Sequence, residues 1–89
     1  MKRDELFSRL LQSSGLPKSA LNGYALIELI GNEEAMIDGC KGIIEYNEDK
    51  ISLNLGNVCA AFVGDELEMS SFEDEQATVK GKFLRIEFN

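Results

Sequence analysis

The stretch Ala25–Asn47 limits what this chain can fold into more than any other. Its apolar residues come in three short runs, separated by Gly31-Asn32 and by Gly39-Cys40-Lys41-Gly42. Each run has the length of a strand, and each break carries residues that tolerate the backbone angles of a tight turn. The rest of the chain keeps this rhythm. Ile51, Leu53 and Leu55 alternate with Ser52 and Asn54, the clearest two-residue period present. Val58–Val63 is apolar on both faces, and its alanines suit a crowded core or a closely approaching second layer. Leu67 and Met69 alternate with Glu66 and Glu68, and Ala77 and Val79 alternate with Thr78 and Lys80. In Phe83–Phe88, Leu84, Ile86 and Phe88 are expected to face inward and Arg85 and Glu87 outward.

This pattern predicts about eight short strands in residues 24–89, with Gly56-Asn57, Gly64-Asp65 and Gly81-Lys82 as turns and Ser70–Glu75 as an acidic surface loop. The first strand, Tyr24–Ile30, is apolar on both faces apart from Glu28, which suggests a central position. Connections this short cannot hold parallel crossovers, so the pairing should be antiparallel. The expected fold is all-β, a small antiparallel sandwich or partly closed barrel, with a short β-solenoid as the competing arrangement. Nothing obvious blunts the edge of the last strand, so pairing between copies is expected.

Residues 1–15 read differently. Leu6, Phe7, Leu10 and Leu11 form an apolar stripe with helical spacing over residues 3–14. Asp4 and Glu5 suit the positive end of the helix dipole, while Gly15 and Pro17 suit its termination. About three turns of helix are marginal alone, so the stripe must be buried somewhere. It packs on its own domain, pairs with another copy, or docks on a membrane or partner.

The net charge of −7 is unevenly spread: residues 1–24 carry four bases and two acids, residues 25–89 five bases and fourteen acids. An acidic body is repelled by phosphate backbones, so nucleic acid is not an expected partner. No apolar run approaches the ~20 residues that span a bilayer. Arg9 and Gln12 interrupt any signal-peptide core, so a cytoplasmic location is expected. Cys40 and Cys59 are too few for a disulfide framework and match no zinc spacing. They are expected to be free thiols, at least one of them buried, with a bridge between them left open by the sequence.

Catalytic chemistry is thinly represented. The chain has no histidine, which removes the commonest general base and metal ligand. Gly39-x-x-Gly42 is not a phosphate-binding loop. No cofactor is expected. The densest acidic stretch, Asp65, Glu66, Glu68, Glu73, Asp74 and Glu75, contains no base. Its spacing does not match a calcium loop, and a solvated surface, a docking face for a basic partner or a weak cation site are the three readings. Phe72, inside this stretch, is expected to fold back as a core plug, with an exposed contact as the alternative.

The order of several motifs resembles the YabP/YqfC family of sporulation proteins. Leu29-Ile30-Gly31-Asn32 is followed by Ile37-Asp38-Gly39 and Gly42-Ile43-Ile44-Glu45-Tyr46. Ile51-x-Leu53-x-Leu55 precedes Phe62-x-Gly64-x-x-Leu67-x-Met69, and Val79-x-Gly81 leads to Ile86-x-Phe88. The Leu16-Pro17-Lys18 start is closer to the YqfC branch. Asn54-Leu55-Gly56-Asn57-Val58 departs from the family's Thr-rich fourth strand, and Asn22-Gly23 stands where a proline is usual. The resemblance implies a non-enzymatic protein of the mother cell, cytoplasmic or peripheral at the forespore membrane, needed for forespore, coat or cortex development. It further implies action through other sporulation proteins, a membrane protein or self-association as a homo-oligomer, with Gly31, Gly42, Gly64 and Gly81 as fold determinants. An enzyme using a cation held by the acidic loop is the least favoured reading.

Overall fold

A computed structural model describes residues 24–89. They form six strands: β1 (Leu26–Ile30), β2 (Glu34–Asp38), β3 (Gly42–Tyr46), β4 (Lys50–Asn54), β5 (Cys59–Glu73) and β6 (Gln76–Phe88). All pair antiparallel in one open sheet of order β1-β2-β6-β5-β4-β3. The helix expected over residues 3–14, with Leu6, Phe7, Leu10 and Leu11, lies outside the described residues.

The all-β, antiparallel expectation holds, but the strand count changes from eight to six. Gly64-Asp65 and Gly81-Lys82 do not end strands. They sit inside β5 and β6, where the pairing shifts register between Val63 and Gly64 and between Asp65 and Glu68. Such bulges bend a strand without breaking it. The acidic Ser70–Glu75 loop is likewise mostly strand. Only Asp74 and Glu75 turn, both with positive φ (53° and 62°), as a two-residue hairpin that matches strand twist requires.

The sheet cannot be flat. β2 and β3 stand four positions apart in it, about 19 Å at ordinary strand spacing. The chain covers that gap from Asp38 to Gly42, which even fully extended reaches only about 14 Å. Nor is the link extended: the Gly39 and Cys40 amides both donate to Glu75 O, and the Lys41 amide donates to Asn54 O. The sheet therefore curls about a crease through the bulges of β5 and β6. Ile51 and Leu53 of β4, Phe62 of β5 and Ala35 and Ile37 of β2 all lie in one buried cluster with Val79 and Phe83 of β6. Phe62 and Phe83 meet with ring centroids 5.4 Å apart. The Gly39–Gly42 segment, expected as a hairpin loop or bulge, is instead the crossing between opposite ends of the sheet.

Strand order also relocates the edges. β6, expected to expose an unblunted edge, is central; β1, expected to be central, is an edge with β3. Leu84 points outward with 71% of its surface exposed, while Phe83 is buried. The bulge beside Gly64 shifts the alternation by one at this point, which no period-2 reading could show.

The strand order reads alike from both ends. The β1–β2 turn continues onto β6, with Glu33 O accepting from Gly81 N–H and Asn32 O from Phe83 N–H. The β3–β4 turn continues onto β5, with Asp49 O accepting from Gly64 N–H and Glu48 O from Leu67 N–H. Two short hairpins thus clasp the two bends of a long central one.

Glycine is required at the crease. A Cβ on Gly64 would lie 1.8 Å from Lys82 O, and one on Gly81, at φ +143°, 2.8–2.9 Å from Leu67 Cδ2, Glu66 O and Leu67 Cα. Gly64→Ala is expected to destabilise by about 3 kcal/mol or more, or to abolish folding. By contrast Glu66, exposed at φ 54°, pays for a left-handed backbone. Glu66→Gly should gain about 1 kcal/mol, read as a higher urea midpoint at unchanged slope.

Candidate interaction surfaces

Acidic side chains that are dense in sequence separate in space. Asp65 and Glu66 sit at the crease, where the docked β3–β4 turn brings Glu48 and Asp49 beside them. With Lys82 these four line a shallow hollow of about 440 Å³. Glu68 stands opposite Lys80 in the ladder. Glu73 closes the other end of β5, and Asp74 and Glu75 form the hairpin tip; all six predicted acids are exposed. Sequence reasoning missed Glu48 and Asp49 as members of the crease group. Only the hydrogen bonds from Gly64 and Leu67 to their carbonyls show the proximity.

Among the described residues, no three His, Cys, Asp or Glu side chains are grouped so as to hold a metal ion. Lys82 is the cation of the hollow and lies across the ladder from Asp65. What this arrangement offers chemically is a solvated negative surface.

Phe72 is not a core plug. It pairs with Ala77 near the hairpin tip, is 42% exposed, and stands at the rim because the sheet ends there. It is one of several exposed apolar side chains, among them Leu29 and Ile30 on β1, Ile43, Ile44 and Tyr46 on β3, and Leu84 and Phe88 on β6.

The two edges differ in kind. β1 pairs with β2 in unbroken register over five residues. Glu28 is its sole charge, and it has no proline, lysine or bulge. β3 carries a bulge between Ile43 and Glu45, and the Glu45 carboxylate lies 3.6 Å from Lys50 Nζ. Bulges and charges are the usual protection of an edge, so β3 is guarded, whereas among the described residues nothing guards β1. β3 is further tied back by Tyr46, whose Oη accepts from the Met69 N–H of β5 at 2.7 Å.

Turn chemistry read from sequence is realised here. Asn47 Oδ1 accepts from the amides of Asp49 and Lys50, and Asn54 Oδ1 from that of Gly56. Both thiols are free, as expected: Cys40 is buried and Cys59 half-buried. Burial pushes the Cys40 thiol above its ordinary value of 9.0, opposed by hydrogen bonding with the Gly42 backbone and assisted by the negative charge of Glu75. Lys41 Nζ and Glu75 Oε1, 2.7 Å apart and both exposed, link the β2–β3 crossing to the hairpin tip.

Three expectations follow. Tyr46→Phe should cost about 1 kcal/mol in urea unfolding, since it leaves the Met69 N–H without its acceptor. Native-state labelling with a thiol reagent should modify Cys59 and spare Cys40. Because folding raises the Cys40 value, stability should be level below pH 9.0 and fall as pH rises through the higher folded value. Cys40→Ala should remove that alkaline decline.

No helix among the described residues is long and apolar enough to cross a membrane. Neither the search of curated proteins nor that of solved structures returns a match. A family model does match, across all six strands. The motif order read from sequence and the crease glycines both fall within residues 22–89, where the chain matches the YabP family, and it belongs to that family.

Proposed function

We propose that this chain is a non-enzymatic assembly protein of sporulation that works by pairing the free edge of β1. Membership of the YabP family suggests the sporulation-related role. The Leu16-Pro17-Lys18 start supports the YqfC branch within it. The observation that carries the mechanism is the unguarded β1 edge: a regular five-residue strand flanked by exposed Leu29 and Ile30, at the end of an open sheet. An edge strand presents a row of backbone donors and acceptors that a second strand satisfies. The bulge and ion pair of β3 disfavour head-to-tail stacking of β1 on β3, so two copies meet β1 to β1 and close as a symmetric pair. Other sporulation proteins with a free strand are the further partners, in the mother-cell cytoplasm or at the forespore membrane.

Native mass spectrometry across the micromolar range should detect a concentration-dependent dimer. Leu29→Lys, which places a charge at the edge, should shift the dimerisation constant at least tenfold (about 1.4 kcal/mol) while amide exchange in β4 and β5 stays unchanged. A strictly monomeric wild-type chain would sink the self-pairing. Heat-resistant spore counts from a deletion strain equal to those of the parent would remove the sporulation role.

A further inference from the structure

The strand order places β6 inside the sheet, but β2 covers only its first half. The β2–β6 ladder ends where Glu34 meets Lys80. Past it the β1–β2 turn supplies two more acceptors, Glu33 O to the Gly81 N–H and Asn32 O to the Phe83 N–H. Among the described residues nothing pairs with that side of β6 from Leu84 to Phe88. The opposite side is held by β5, with Val63 opposite Arg85, Phe62 opposite Ile86, Ala61 opposite Glu87 and Ala60 opposite Phe88. The ladder also tells which groups face the open side. Cys59 and Asn89 exchange both of their main-chain hydrogen bonds. Bonded pairs alternate with non-bonded ones along antiparallel strands, so Glu87 and Arg85 bond to β5 as well. Ile86 and Phe88 therefore direct their N–H and C=O groups away from β5, into the open side.

The sequence of this half-strand is complementary to itself. Leu84-Arg85-Ile86-Glu87-Phe88 carries a base and an acid on either side of a central isoleucine. Laid antiparallel on a second copy about Ile86, it sets each Arg85 opposite the other copy's Glu87. The two Ile86 residues then form a bonded pair, which is what their outward N–H and C=O groups require. The Arg85–Glu87 pairs fall at non-bonded positions, where opposed side chains stand closest. A pairing centred on Arg85 or on Glu87 would instead set like charges face to face. Both side chains are exposed and share a face of the strand, with Arg85 Nε 3.4 Å from Glu87 Oε1. Charges on an edge usually repel a foreign strand, and here their order selects a copy of the same one. Leu84 and Phe88, both largely exposed, supply apolar surface beside them.

We propose that the second half of β6 is a self-recognition edge, on which a second copy of this chain pairs antiparallel about Ile86. The contact lies away from β1 and does not rest on pairing there. Where both edges operate, copies joined at β6 are joined again at β1, and assembly runs past a dimer. A half-strand makes a small interface, so the contact is weak by itself.

Exchanging the charges tests this in the full chain carrying Leu29→Lys, which takes β1 pairing out of the readout. Sedimentation over roughly 10 μM to 1 mM, the range for so small an interface, should show a dimer. Arg85→Glu leaves two acids on the edge, and Glu87→Arg leaves two bases. Each alone should weaken the dimer about tenfold or more, because like charges then stand opposite. Mixed in equal amounts, the two variants should form a heterodimer about as tight as the parent dimer. That recovery cannot come from the Arg85–Glu87 contact within one chain, which neither variant retains. Amide exchange gives a second measurement on the unaltered protein. Protection of the Ile86 N–H should rise with protein concentration, while the Glu87 N–H, bonded to β5, stays protected throughout. A parent chain that remains monomeric across the range overturns the proposal and leaves the edge to a strand of different sequence. A dimer that neither charge reversal weakens also overturns it, and places the contact elsewhere. Ile86 exchange that ignores concentration overturns it too.

Discussion

The structure depends on how closely two backbones approach where β5 and β6 bend. At Gly64 the Lys82 carbonyl occupies the space of a side chain, and at Gly81 the Leu67 backbone does. Remove either absence of a Cβ and the strands must separate or straighten. A straight pair would leave β2 and β3 too far apart for the link Gly39–Lys41 to join. The core would then open, since it draws on both halves of the sheet. Two missing side chains therefore set the curvature, and the curvature makes one small sheet bury its own face. That matters in a chain of this size, where burial leaves little margin.

Much of this is written locally. The bounds of β2, β3 and β4 follow from the glycines and asparagines around them, and Asn47 and Asn54 make the side-chain bonds that their turn positions suggest. The inward set of β4 and of the first half of β5 is also plain in the alternation of Ile51, Leu53, Ala60 and Phe62. What could not be read is whether a Gly-Asp or Gly-Lys pair ends a strand or bends it. Both use the same residues, and the difference lies in a partner strand far away in sequence. That ambiguity also inverted the reading of Leu84 and moved the edges from β6 to β1 and β3. Acid grouping failed for a related reason, because Glu48 and Asp49 reach Asp65 and Glu66 only through the docking of a turn.

The surface divides into parts with different physics. Acids at the crease and at the hairpin tip make the surface there negative. Exposed ion pairs such as Lys41–Glu75 contribute little to stability by themselves, because water already solvates both partners. The edges are where backbone hydrogen-bonding capacity is left over, and among the described residues only one of the two is fenced. An open sheet that guards one end and leaves the other regular has a direction, which a closed barrel of the same strands would lack.

That asymmetry has a kinetic side. From β3 to β6 every pairing is between neighbours in the chain, so residues 42–88 form a meander whose contacts close over short loops. β2 reaches β6 across about forty residues, the one long closure in the sheet. Contacts of that kind form late, since their entropy is lost before they are rewarded. The β1–β2 hairpin is thus the last piece to arrive, and the meander waits with the edge of β6 open. During that interval a hairpin from a neighbouring chain is as good a fit as the chain's own. The unit that forms the β1 end of the described sheet is therefore the one most readily exchanged between nascent copies.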